Sequence, residues 1–196
     1  MTALGHGRAQ IQYVTIGGTK AGKVTAYQMH VLQDSGAWVD LGAILAPFMT
    51  RPMASGVYDI PKIEIRTTSI ATNTTPVVAY RGAGRPEATA AIERAMDMFA
   101  AEIGKDPAEV RRINLIPKFL EPHATAIGQT YDVGDYEESL NRVLEASDYT
   151  KLRAEQAVRR ASGSVKQLGI GVSVYVEITA GSSAGEAAKI EVTQDG

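Results

Sequence analysis

Residues 79–85 read Ala79-Tyr80-Arg81-Gly82-Ala83-Gly84-Arg85, and Pro86-Glu87 follow. Two glycines let the backbone bend sharply and come close to a ligand, because neither carries a Cβ. Arg81 and Arg85 flank them, each with a rigid fork of donors suited to an oxyanion or a phosphate. Pro86 fits the first turn of a helix, whose unpaired N–H groups would face the same loop. These residues make a candidate anion cradle at a helix N-terminus. The same spacing also suits a plain strand-to-helix connection with two surface arginines, and the pattern alone favours that plainer reading.

The rest of the sequence narrows the chemistry. It holds no cysteine, which excludes disulfides, thiolate zinc sites and Fe–S ligation by these residues. His6, His30 and His123 are widely spaced and follow no metal-ligand pattern. A net charge of −2 gives no reason to expect nucleic acid or an anionic membrane surface as partner. No apolar run reaches the length of a membrane span, and no leader pattern opens the sequence, so a cytoplasmic protein is expected. At 196 residues, 44% hydrophobic and 21% charged, the chain suits one globular domain with a real core.

Several elements must position the loop. Gln10 to Ile16 and Val24 to Leu32 predict a β-hairpin with Lys20 and Lys23 at its tip. Leu41 to Met49 predicts a short helix closed before Pro52. Ile63 and Ile65 alternate with Glu64 and Arg66, a half-buried strand reaching about Ser69. The run Thr72-Asn73-Thr74-Thr75-Pro76 is a loop leading into the glycine-rich turn. Beyond Arg85, Ile92, Ala95, Met96, Phe99, Ala100 and Ile103 share one helix face, and Gly104 stops it. Asp106-Pro107-Ala108-Glu109 opens a second helix ending near Asn114. Asp135 caps a third, with Leu140, Val143 and Leu144, and a fourth covers Tyr149 to Arg160. Leu168 to Ile178 alternates strictly and predicts a strand, as does Lys189 to Thr193 before a Gln194-Asp195-Gly196 turn. Strands and helices without regular alternation predict an α+β fold with mixed or antiparallel strands.

The string A-Y-R-G-A-G-R-P-E-A, followed by I-E-R and later D-P-A-E-V-R-R-I-N-L-I-P, carries a resemblance. It resembles the molybdopterin-binding large subunit of the xanthine dehydrogenase and aldehyde oxidase family. More narrowly, it is similar to the second, copper-less form of the aerobic carbon monoxide dehydrogenase large chain. Gly5-His6-Gly7-Arg8-Ala9-Gln10, Leu32-Gln33-Asp34-Ser35-Gly36-Ala37-Trp38 and Gly56-Val57-Tyr58-Asp59-Ile60-Pro61 support the match.

The resemblance implies a molybdenum hydroxylase that oxidises a small organic substrate with water as oxygen source. Its cofactor would be molybdenum on molybdopterin, in the cytosine dinucleotide form. Electrons would leave through Fe–S and FAD subunits or domains. Tyr80, Arg81, Gly82, Ala83, Gly84 and Arg85 correspond to the family's loop near the cofactor, with Arg81 a possible substrate or oxo contact. In copper-containing carbon monoxide dehydrogenases this loop reads A-Y-x-C-S-F-R, and the cysteine sulfur bridges copper and molybdenum. Gly82 stands at that cysteine's position, so no copper is expected, because Cu(I) needs a soft ligand. Ala83 and Gly84 leave room for an aldehyde or a nitrogen heterocycle. The family's catalytic glutamate lies near the end of the large subunit and has no counterpart here. Residues 1–196 are therefore expected to be one segment of a molybdopterin-binding domain, truncated at both ends, inactive alone and partnered by the rest of the large subunit. The alternative is a non-catalytic anion- or nucleotide-binding module.

Other residues take plainer readings. Glu87 reads as a first-turn carboxylate favoured by the helix dipole, and Asp34 as a turn cap. Trp38 is expected to pack, and Tyr80 either to pack under a cofactor or to fill the core. His6, Arg8, Arg111-Arg112 and Arg159-Arg160 are expected at solvated surfaces.

Overall fold

A computed structural model describes residues 4–178 and 187–193. Strands β1 (Gln10–Gly18) and β2 (Val24–Gly36) form the expected antiparallel hairpin. Helix α1 (Leu41–Met53) then crosses over to β3 (Ile63–Ala71), which pairs parallel with β2. The result is a mixed sheet of order β1-β2-β3. Helices α2 (Arg85–Glu102) and α3 (Pro107–Asn114) follow, then the two-residue strands β4 (His123–Ala124) and β5 (Thr130–Tyr131). Helices α4 (Tyr136–Ala146) and α5 (Tyr149–Ala161) complete the order. The α+β expectation holds.

The inner face of the sheet changes character along its length. Ile16, Tyr27 and Ile63 are in register, and so are Val14, Met29 and Ile65. The next layers are Gln12, Val31 and Thr67, then Gln10, Gln33 and Ser69. The face thus begins apolar and becomes polar towards the start of β1. Over its apolar part lies α2, which buries Ile92, Ala95, Met96, Phe99 and Ala100, the stripe its sequence predicts. Gly104 terminates the helix with φ +68. Asp106 caps α3 through the amides of Ala108 and Glu109, and Asp135 caps α4 through that of Glu138.

Helix α1 runs longer than its sequence suggests, continuing through both Pro47 and Pro52. Pro47 has no N–H to offer the carbonyl of Ala43, one turn back. The Ser69 hydroxyl of β3 donates to that carbonyl instead, at 3.0 Å. A tertiary contact thus supplies the bond that the helix cannot make for itself.

The Leu168–Ile178 segment also departs from expectation. Its side chains alternate as predicted, with Val174 buried and Val172 and Val176 half-buried against the core. It nonetheless forms no ladder with any strand among the described residues. Lys189 to Thr193 is likewise irregular, and the turn expected at 194–196 lies outside the described residues.

Two side chains lie opposite to where the sequence suggests, Arg111 in the core and Trp38 at the surface. Arg111 is the largest fully buried side chain, not a solvated one. Its Nε donates to Glu93 at 2.8 Å, Nη1 pairs with Asp97 at 2.8 Å, and Nη2 donates to the Glu93 carbonyl at 3.1 Å. Tyr58 donates its hydroxyl to the other Glu93 oxygen at 2.5 Å. Burial pushes the Glu93 carboxyl up, and Arg111 and Tyr58 pull it back. This network rivets α3 to α2. Trp38, by contrast, is 69% exposed rather than packed.

Asp34 organises the loop that feeds the glycine-rich turn. One carboxylate oxygen accepts from the Gly36 amide and the Thr72 hydroxyl, the other from the Thr74 hydroxyl. The Thr72 hydroxyl, aided by the Gly36 amide, holds the Asp34 carboxyl below the usual range.

Two predictions follow from these buried and anchored charges. Arg111→Met should destabilise the fold by roughly 3–5 kcal/mol, since it strands the Glu93 carboxylate in the core. Chemical denaturation would measure the loss. Asp34 titrates lower folded than unfolded, so its stabilisation is complete above about pH 4 and drains as pH falls through the lowered value. Asp34→Asn should therefore flatten the acid limb of a Tm-against-pH curve, and an unchanged limb would show that other carboxylates set it.

Candidate functional site

The glycine-rich loop is built from three consecutive left-handed residues: Gly82 at φ +91, Ala83 at +35 and Gly84 at +98. Ala83 adopts this conformation despite its Cβ and is buried, a local strain that its surroundings must maintain. Its amide donates to the Tyr80 carbonyl at 2.7 Å, and the Arg85 amide donates to that of Gly82 at 3.2 Å. Pro86 sits in the first turn of α2, as expected.

Neighbouring backbones press on this turn from two sides. A Cβ on Gly84 would stand 2.0 Å from the Ala46 carbonyl oxygen of α1. A Cβ on Gly42 of α1 would stand 2.0 Å from the Val78 carbonyl carbon. At the seam, the Thr50 hydroxyl lies 2.9 Å from the Ala46 carbonyl and 3.0 Å from that of Gly84. On the other side, residues 5–8 run beside 77–80, with the Val78 amide donating to the His6 carbonyl at 2.8 Å. His6 is exposed, as expected, while its backbone bridges to Val77 beside the loop.

Glu87 does more than complement the helix dipole. Its Oε2 accepts from the Gly84 amide at 2.9 Å and from Arg8 Nη1 at 2.9 Å. Arg8 also donates through Nη2 to the Arg81 carbonyl, and its guanidinium lies 4.9 Å from the centre of the Tyr80 ring. Arg8 is at the surface, as expected, but its guanidinium is engaged by Glu87, Arg81 and Tyr80. Tyr80 is 61% exposed, so it does not fill the core. Gln10 and Gln12 continue the same face: Gln10 donates to Thr50 and Gln12 to the Glu87 carbonyl. The signal was present as Arg8-x-Gln10-x-Gln12, polar residues at period two leading into the half-buried Val14 and Ile16.

Arg81 and Arg85 play different parts. Arg85 Nε lies 2.9 Å from the Gly82 carbonyl and 2.8 Å from Glu177, so it holds the loop to the extended segment. The Arg81 side chain makes no hydrogen bond or ion pair with any described residue, and it is exposed. The amides of Arg81 and Gly82 likewise have no acceptor among the described residues. These donors border a cavity of about 470 Å³ whose walls include Arg8, Arg81, Gly82, Arg85, Tyr175 and Glu177. A free guanidinium and two free amides at a helix N-terminus fit an oxygen-rich anionic group. Among the described residues, no cluster of His, Asp or Glu could hold a metal directly.

Residues 1–115 match the family model of the molybdopterin cofactor-binding domain. The chain belongs to that family. It is 39% identical over 165 residues to the carbon monoxide dehydrogenase large chain of Hydrogenophaga pseudoflava, covering 82% of this chain and 20% of that one. It is 34% identical over 187 residues to the nicotine 6-hydroxylase large subunit of Paenarthrobacter nicotinovorans, covering 90% and 22%. Quinoline 2-oxidoreductase from Pseudomonas putida 86 superposes with a TM-score of 0.75 at 28% identity, covering 81% of this chain and 20% of that one. The chain thus spans about a fifth of the length of the curated relatives it matches.

Packing around the loop can be tested with two glycines of like conformation. Gly84→Ala should cost roughly 2–6 kcal/mol, combining left-handed strain with overpacking against α1. Gly104 is also left-handed but has no neighbour within 4 Å of a built Cβ. Gly104→Ala should therefore cost only about 1–2 kcal/mol, the strain alone. Equal losses in urea titrations would remove the close approach as the reason for Gly84.

Proposed function

We propose that this chain is part of the catalytic large subunit of a molybdenum hydroxylase, and that Tyr80 to Arg85 face its cofactor. The observation that carries this reading is the division of labour in the loop. Arg8, Glu87 and Arg85 are occupied in holding it, while Arg81 and the Arg81 and Gly82 amides stay free at the cavity. Molybdenum on molybdopterin, in the cytosine dinucleotide form, would supply the two-electron oxidation of the substrate with water as oxygen source. Arg81 would orient an oxygen of substrate or cofactor, and the fixed amides would stabilise negative charge developing there without reorganising.

The proton acceptor lies elsewhere in the subunit. Glu87 is committed to the Gly84 amide and Arg8, and Glu177 to Arg85. Fe–S and FAD partners would take the electrons. No helix among the described residues is long and apolar enough to cross a membrane. A cytoplasmic enzyme is part of the same proposal.

The substrate is an organic molecule, an aldehyde or a nitrogen heterocycle, and the site works without copper. The relatives named for nicotine and quinoline oxidation support this class. So does the backbone at Gly82, where a Cβ would stand 2.5 Å from Pro86 Cγ in a left-handed conformation. A cysteine cannot simply be placed there.

The direct test is the molybdenum and pterin-dinucleotide content of the full-length protein purified from its own host. Stoichiometric cofactor is expected; a folded protein lacking both under cofactor-replete growth would favour an anion-binding module. Arg81→Ala should lower turnover by roughly 10²–10³-fold, with stability changed by no more than about 0.5 kcal/mol. A loss matching Phe99→Ala, about 3–5 kcal/mol for a core truncation, would make Arg81 structural. Gly82→Cys should yield no carbon monoxide oxidation.

A further inference from the structure

We propose that Arg8 is the positioning residue that aims the Gly82 amide into the cavity. A trans peptide points its carbonyl and its N–H to opposite sides. Arg8 Nη2 holds the carbonyl of Arg81, so the N–H on the far side of that same peptide, belonging to Gly82, is fixed in direction. Nη1 meanwhile pairs with Glu87 at 2.9 Å, and the same Glu87 oxygen accepts from the Gly84 amide at 2.9 Å. One guanidinium therefore reaches both ends of the three-residue left-handed turn. Its Cζ lies 4.9 Å from the centre of the Tyr80 ring, which restrains the residue entering the turn.

Arg8 is itself held in a sparsely populated conformation, with φ +62 and a full side chain. Such strain persists only where surrounding contacts maintain it. Its own carbonyl accepts from the Gln10 amide at 3.0 Å, and Gln10 reaches Thr50 at the seam between α1 and the loop. The hairpin, α1 and α2 thereby converge on the orientation of one peptide plane. A lysine could keep the charge but not the fork, which needs two N–H donors in one plane and a flat face for Tyr80.

The consequence for catalysis rests on the proposed role of the loop, but the orientation itself does not. Amide hydrogen exchange of the full-length protein, followed by mass spectrometry in its metal-free form, separates the two. Arg8→Ala should speed exchange of peptides spanning residues 80–84 by roughly tenfold or more, as expected for losing a charge-assisted clamp. Peptides within Val24–Gly36 should be unaffected. Arg8→Lys should exchange like Arg8→Ala rather than like the parent. Three results would each overturn the proposal: unchanged loop exchange in Arg8→Ala, full rescue by Arg8→Lys, or equal acceleration in β2. Absence of molybdenum from the parent protein would instead count against the cofactor reading and leave the exchange result intact.

Discussion

Everything at the glycine-rich turn depends on two backbones lying in contact with no side chain between them. Gly42 opens the surface of α1 to the backbone at Val78, and Gly84 opens the turn to the carbonyl of Ala46. Each glycine faces the other element, so the contact is reciprocal. A methyl group on either side would separate the helix from the loop and release the Thr50 hydroxyl from the Gly84 carbonyl. The left-handed run from Gly82 to Gly84 survives because α1 occupies the space into which it would otherwise relax.

Helix α2 joins this seam to the core through two carboxylates of different duty. Glu93 is sunk among Arg111, Tyr58 and Asp97 and fixes where the helix lies. Glu87, nearer the N-terminus, gathers the Gly84 amide and Arg8 and fixes what the helix presents. The sheet beneath shows the same transition. Its inner layers pass from Ile16, Tyr27 and Ile63 to Gln10, Gln33 and Ser69 as they approach the turn. Apolar burial sets the frame, and hydrogen bonds with defined directions take over where a ligand must be met.

Much of this was legible in the residues. The hairpin, the apolar stripe of α2, the Asp106 and Asp135 caps and the Gly104 stop follow from local rules and appear as read. The loop itself was legible from its glycines and its family string. What escaped reading depends on partners distant in sequence. Arg111 looked like a surface charge because nothing nearby announces Glu93, eighteen positions earlier, as its acceptor. Arg8 looked free because Arg81 and Glu87 lie more than seventy residues away. Leu168 to Ile178 shows the alternation of a strand, which records burial on one side but says nothing of a neighbour to pair with. Trp38 illustrates the converse, a large apolar side chain that the described residues leave exposed.

The borrowed hydrogen bond in α1 bears on how the parts of this architecture depend on one another. A helix interrupted by Pro47 has little stability of its own, because its ladder is broken and nucleation is already costly. The missing donor is supplied only by Ser69 of β3, a strand that is itself held by its pairing with β2. Helix α1 therefore leans on the sheet for a bond it cannot make alone. The turn at Gly84, which α1 confines, inherits that dependence on the sheet.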